Sequence, residues 1–272
     1  MSGSTRHNKG HTQVEPLITV KKLQEIYLFG VDVVDNDGNE LPDTTYQAHI
    51  NNAISTLEHI LDLAITPRRT CTPEEKDYHA NDYVEWGYLP LNNFPVIEIN
   101  ELSFVYTHDD TAQPETAMNI PPAWWRLNPE EGIIRLIPNN KFPGRLAVGS
   151  YGFFPEIFKR QGHVPNLWRI DYTYGFAAGK VPVMLNHAVG LLAATFVLHL
   201  AGDLIIGAGI AGSSLSLDGL SQSIQTTSSA ENHGYSAKAN NYNEALFGKN
   251  EKDPGVLGHL KDFYKGADIS II

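Results

Sequence analysis

Two hydrophobic rhythms divide this chain. Apolar residues recur every three to four positions toward both ends, and short alternating runs fill the middle. Thr19 is placed as N-cap of a short helix that Gly30 stops, with Val20, Leu23, Ile26 and Tyr27 on one face. Asp37-Gly38 then marks a tight turn. Asp43 is placed to cap a second helix. Its stripe is Tyr46, Ile50, Ala53, Ile54, Leu57, Ile60, Leu61 and Ala64, and Pro67 is its predicted end.

From Cys71 to Tyr174 the period shortens. The clearest β-rich runs are Val96 to Tyr106, Trp124 to Leu127, Ile133 to Ile137, Arg145 to Val148 and Trp168 to Tyr174. Pro90, Pro95, Pro121, Pro122, Pro138 and Pro143 punctuate them, and the aromatic-rich stretch Ser150 to Pro165 has no clear period. The pattern predicts a β-rich insertion between two parts of one helical core, an α+β fold.

Helical spacing returns at Pro182, a residue suited to a first turn, and runs to about Ile205. The segment Ala208 to Ser229 is rich in Gly and Ser, yet Leu215, Leu217, Leu220 and Ile224 keep it from being a pure linker. Another helix is predicted from Ala230 to Phe247, with Gly248 as terminator. Asp253-Pro254 opens a last one that Gly266 stops.

Composition narrows the function. The chain has 272 residues, 42% apolar and 19% charged, values of an ordinary folded protein. Its formal net charge of −11 argues against a surface built to grip nucleic acid. Cys71 is the single cysteine, so no intramolecular disulfide and no cysteine-based zinc site forms. The opening MSGSTRHNKGHTQVEP lacks an apolar core and is not a secretory signal. Val183 to Ile206 is apolar enough to be mistaken for a membrane span. Asn186, His187, Thr195, His199 and Asp203 interrupt it, which fits a buried central helix and no membrane partner.

Each catalytic or ligand motif fails on context. Gly207-Ala-Gly-Ile-Ala-Gly212 matches GxGxxG, but a helix precedes it where the dinucleotide fingerprint requires a strand. Asp35 to Glu40 resembles part of a calcium loop, but Val33 and Thr44 break its register, leaving a hairpin turn. The eleven histidines hold no HExxH, and His187 and His199 lie too far apart along one helix to share a metal. Ser213, Ser214, Ser216 and Asp218 lie near one another without a GxSxG elbow. Trp86, Trp124, Trp125 and Trp168 suit a core or an interface.

Three stretches resemble the bacteriophage head–tail connector (adaptor, head-completion) family. They are the capped helix Asp43 to Ala64 followed by ITPRRT, the run LPLNNFPVIEINELSFVY, and above all IDYTYGF…VPVMLNHAVGLLAATF. DGLSQSI, followed by a Tyr-containing helix, also resembles larger members. The resemblance spans roughly Leu17 to Phe247. It departs from the family's pattern in the long insertion around Asn119 to Pro165 and in the extra C-terminal helix.

The resemblance implies a structural virion protein with no cofactor and no catalysis. It implies a homo-oligomeric ring, usually of twelve copies, that binds below the portal protein and extends the DNA channel. The ring offers a platform to a neck or tail protein beneath it. Genomic DNA passes through the lumen without sequence-specific binding, and surplus carboxylates there would repel phosphates. The protein would be made in the host cytoplasm and reside at the head–tail interface of the virion.

On this reading, residues 1–16 are a flexible N-terminal arm, 17–70 and 180–249 the helical connector core, and 71–179 the β-rich insertion. Residues 250–272 are a C-terminal docking segment. Its candidate partner-binding residues are Val256, Leu257, Leu260, Phe263, Tyr264, Ile269, Ile271 and Ile272. Residues 207–229 are expected either to face the channel or to form a surface loop. The alternatives are a stopper, tail-completion or baseplate structural protein and, from a different class, a hydrolase or sugar-binding module. A polar-lined pocket beside Trp124, Trp125 and Trp168 is the feature that would favour the last.

Overall fold

The computed structural model describes residues 13–31, 33–34, 38–79, 88–105, 117–136, 162–206, 212–217, 220–225, 235–250 and 253–265. The fold is α+β, and every described strand pair is antiparallel. The chain divides into two compact units, Met1–Asp62 with Ala178–Ile272, and Leu63–Ala177.

The first unit is mainly helical. Strand β1 (Val14–Glu15) leads into α1 (Val20–Lys22), which widens into a π-helical turn over Leu23–Tyr27. Thr19 caps it as expected, its hydroxyl accepting from the Lys22 N–H. Helix α2 (Asp43–Leu61) starts one residue earlier than a capping Asp43 would require: Pro42 occupies the cap, and Asp43 is the first helical residue. Its carboxylate still sits in the first turn, where the helix dipole favours an anion. The helix stops at the left-handed Asp62 (φ 54°), five residues before Pro67. Tyr46, Ile50, Ala53, Ile54, Leu57 and Leu61 form its buried stripe.

The short β10 (Val181–Pro182) pairs with β1, and α3 (Val183–Ile206) follows. The arm expected over residues 1–16 is therefore fixed at its end, because Val14 and Glu15 hydrogen-bond into a ladder; residues 1–12 lie outside the described residues. Helix α3 is apolar on all sides. Leu185, Ala188, Val189, Leu191, Leu192, Ala193, Ala194, Val197, Leu198 and Ala201 are buried. It packs against α2, the π-helical turn, α4 (Ser236–Phe247) and α5 (Gly255–Lys265). As a stretch, Val183–Gly202 is long and apolar enough to cross a membrane, yet 67% of its most apolar window is buried by the protein itself. Gly248 caps α4 at the position expected.

Between α3 and α4, β11 (Gly212–Leu217) and β12 (Leu220–Gln225) pair as a hairpin, with Leu217 opposite Leu220. The two intervening residues are Asp218-Gly219, a strong short-range hairpin signal. Within the stretch expected to face the channel or form a surface loop, residues 212–217 and 220–225 are thus a hairpin. The first glycines of the GxGxxG run lie outside the described residues.

The second unit is organised on one long strand, β9 (His163–Tyr174). One edge of β9 takes β2 (Arg68–Arg69) and β3 (Glu74–His79); the other takes β5 (Val96–Val105), which carries β6 (Ala117–Asn119). Arg68 and Arg69, assigned by sequence to the helical core 17–70, belong here because their backbones pair with Tyr174 and Thr173. A second sheet runs in the order β4 (Tyr88–Pro90), β8 (Ile133–Leu136), β7 (Trp125–Asn128). The strand expected over Arg145 to Val148 lies outside the described residues.

Alternation along β9 sends Trp168, Ile170 and Tyr172 inward, each fully buried, and Arg169, Asp171 and Thr173 to the other face. Tyr78, Leu89, Leu91, Leu102, Ile120 and Ile134 complete that core. Gly175 turns the chain at the end of β9. Its φ is +101°, and a Cβ there would stand 2.3 Å from the Thr66 carbonyl oxygen, so glycine is required.

Candidate functional site

In the helical unit a few buried polar groups fix an otherwise featureless apolar helix. Asn186 is 1% exposed. Its amide donates to Glu15 Oε1 at 2.7 Å and to the Pro16 carbonyl at 2.9 Å, and its oxygen accepts from the Ile18 N–H at 2.8 Å. The segment entering α1 is thereby tied to α3. Lys22 adds an ion pair to Glu15, whose carboxyl is held below its ordinary range first by that lysine.

One turn later, the Tyr27 hydroxyl and His187 Nδ1 are hydrogen-bonded at 2.9 Å. Burial pushes the Tyr27 hydroxyl up to about 12 and the His187 imidazole down, so both are uncharged at neutral pH. Gly190 lets the ring approach: a Cβ there would lie 2.3 Å from the Tyr27 Cζ. From α4, the Tyr242 hydroxyl donates to the Tyr27 carbonyl at 2.6 Å, and Lys238 donates to the Phe29 carbonyl. His187 is an exposed residue that hydrogen-bonds Tyr27, outside the core where the sequence placed it.

Around these pins the helical unit leaves large apolar side chains in solvent. Phe29 is 79% exposed and Ile26 57%, and Val183, Met184, Phe247 and Phe263 are also exposed. Ile26 and Phe29 lie on the π-helical turn and just after it, where bonds from α3 and α4 hold the chain.

The predicted docking residues separate into groups. Leu257 and Leu260 are buried within the helical unit, at 4% and 3% exposure. Helix α5 packs on α2, α3 and α4, so these two leucines are internal packing residues. Phe263 is exposed, Val256 and Tyr264 are half-buried, and Phe263 and Tyr264 meet edge-on with ring centroids 5.0 Å apart. Ile269, Ile271 and Ile272 lie outside the described residues.

The outer face of β9 carries a polar network. Asp171 accepts from both the Nε and a terminal nitrogen of Arg69, from the Thr70 hydroxyl at 3.0 Å and from Asn100 Nδ2 at 3.2 Å. Arg69 above all lowers its carboxyl to about 2. On the inner side, the Tyr172 hydroxyl donates to Glu74 and accepts from the Asn93 side-chain amide and N–H. Burial raises that phenol well above its ordinary value. Both networks tie strands together.

A cleft of ≈ 240 Å³ lies against Trp125, lined also by Ile99, Asn100, Leu102, Asn119 and Ile120. The sugar-module reading asks for a pocket beside Trp124, Trp125 and Trp168; of these only the half-buried Trp125 lines this cleft, which falls below the ~300–1,000 Å³ of typical small-molecule sites. Trp168 is fully interior, Trp124 packs beside the core, and Trp86 lies outside the described residues.

One cluster escaped the sequence reading, which looked for histidine pairs on helices. Asp77, His79 and His163 meet where β3 and β9 pair. The Asp-x-His spacing puts the first two on one strand face, and only the strand register brings in His163.

No protein-family model matches the chain, and no curated protein sequence matches it. Among solved structures, the chain is similar to one in the neck of an empty gene transfer agent particle computed with C6 symmetry. The identity is 21%, covering 66% of this chain and 77% of that one, with a TM-score of 0.38. It is also similar to a chain in the virion of a native gene transfer agent particle, at 22% identity over 66% of this chain and 77% of that one, with a TM-score of 0.40.

Proposed function

We propose that this protein is a structural component of a phage-type virion neck, a ring-forming head-to-tail adaptor. It binds below the portal, extends the DNA channel and links the capsid to the neck or tail. The observation that carries this reading is the strand-to-helix module IDYTYGF…VPVMLNHAVGLLAATF: β9 ends in the Gly175 turn, β10 follows, and the all-apolar α3 begins. The same order of packing motifs, α2 before the β-rich region and a Tyr-containing helix after β12, supports it.

Subunit contacts are assigned to the helical unit. Ile26, Phe29, Val183, Met184 and Phe247 supply apolar surface that a repeated head-to-tail interface would cover. Val256, Phe263 and Tyr264 are the portal-docking candidates that α5 leaves at least partly accessible. A surplus of 31 acidic over 20 basic side chains suits a lumen that DNA must pass without sticking.

Electron microscopy of the purified full chain, alone and mixed with portal, tests the proposal. Closed rings with a central hole, lost in Phe29→Asp, are expected. A monomer at every concentration, with and without portal, overturns it. The cleft on Trp125 favours a second reading, a carbohydrate-binding module; glycan-array binding that Trp125→Ala abolishes would establish that one instead.

A further inference from the structure

The β3–β9 ladder contains an irregularity with a chemical consequence. Lys76 pairs with Trp168 and Tyr78 with Val164, so β9 accommodates extra residues opposite Asp77. Within that bulge Asn166 adopts a left-handed φ of 48°. Its N–H donates to Asp77 Oδ1 at 2.9 Å. The second carboxylate oxygen, Oδ2, lies 3.1 Å from His163 Nε2. His79, the last residue of β3, pairs with His163, the first of β9, and their rings stack with centroids 4.5 Å apart and planes 21° apart. All three side chains are exposed, and one ligand atom from each lies within 4.8 Å of the others.

Two ligand atoms bound at about 2.0–2.2 Å to one tetrahedral ion stand roughly 3.3 Å apart. The Asp77–His163 pair already has nearly that spacing. Closing the widest separation takes at most about 1.5 Å of movement by three exposed side chains. The donor set, two imidazoles and one carboxylate, is that of borderline metals such as zinc rather than calcium or magnesium. The Asn166 N–H supplies the outer hydrogen bond that orients a ligating carboxylate.

We propose that Asp77, His79 and His163 form a surface site for a divalent transition metal of the Zn²⁺ class, which clips the end of β3 to the start of β9. A fourth position is left for water or a partner's side chain.

The test titrates ZnCl2 into chelator-stripped full-length protein by calorimetry. The chain carries eleven histidines, so the comparison with variants decides. Wild type should bind one equivalent more than H79Q/H163Q, and D77N should bind that equivalent more weakly. Zn²⁺ should slow backbone exchange across residues 74–79 and 163–170 in wild type alone. Equal stoichiometry in wild type and H79Q/H163Q overturns the proposal. Should a variant fail to fold, histidine modification by diethyl pyrocarbonate decides on the wild-type chain. Zn²⁺ must protect His79 and His163 selectively, and unchanged labelling of the two overturns the site.

Discussion

The two units solve burial differently. In the β-rich unit, alternation separates the tasks: β9 sends Trp168, Ile170 and Tyr172 into the core and Arg169, Asp171 and Thr173 to the other face. In the helical unit α3 is buried nearly all round, so no polar face orients it. Orientation falls to a few directional contacts: Asn186, the Tyr27–His187 bond and the ring of Tyr27 on Gly190. A sheet carries its instructions in its period, whereas a helix apolar on every side needs polar pins and a shaped contact to choose one rotation among several.

The largest expected effects test whether both cores are close-packed. Trp168→Ala should destabilise by about 3–5 kcal/mol and Leu198→Ala by about 2–5 kcal/mol, read by chemical denaturation. Hydrogen exchange sharpens the comparison. Loss of protection confined to residues 63–177 in the Trp168 variant keeps the two burial strategies separate, and loss spreading into α3 merges them.

Next is the shaped contact. Gly190→Ala forces a methyl into the Tyr27 ring and should cost about 1–3 kcal/mol. In a Tyr27→Ala background the same change should gain up to about 1 kcal/mol, because alanine is the better helix former. A cost of the same size in both backgrounds would show that Tyr27 does not set the rotation of α3.

The polar pin comes third. Asn186→Leu leaves the Ile18 N–H and the Pro16 carbonyl without their partner, and should cost about 1–3 kcal/mol with faster exchange at Ile18. A neutral result would remove Asn186 from the list of orienting contacts.

Smallest is the outer network of β9. The folded carboxyl of Asp171, at about 2, lies below its ordinary value of 3.8. Its ionised form therefore adds stability above pH 4, which is lost as pH falls from about 4 to about 2. Arg69 is largely exposed, so the contribution is about 1 kcal/mol or less. Asp171→Asn should flatten acid unfolding slightly in that window, and an unchanged profile would leave Arg69 and Asp171 without a role in stability.

Legibility followed locality. Thr19, Gly248 and the stripe of α2 signal through neighbours within a turn, and the structure agrees with each except that Ile60 is half-buried and Ala64 lies past the helix. Asp43 and Pro67 were misleading because local geometry outranked residue preference: Pro42 takes the cap, and the left-handed Asp62 stops the helix early. The hairpin of β11 and β12 was announced by Asp218-Gly219 but masked by its Gly/Ser composition. Of the Asp77, His79 and His163 cluster, only the Asp-x-His spacing is local. Asp77 and His163 are 86 residues apart, and a bulge at Asn166 sets their register.

By itself the amino-acid order determined the main helices, the β-rich middle, the α+β class and the apolar character of α3, because hydrophobic period and turn chemistry act over a few residues. Tertiary structure alone decided that Leu257 and Leu260 are core, that Arg68 and Arg69 join the sheet, and that two histidines meet one aspartate. Those outcomes depend on which distant backbones pair and which faces they cover, and no short window of sequence carries that information.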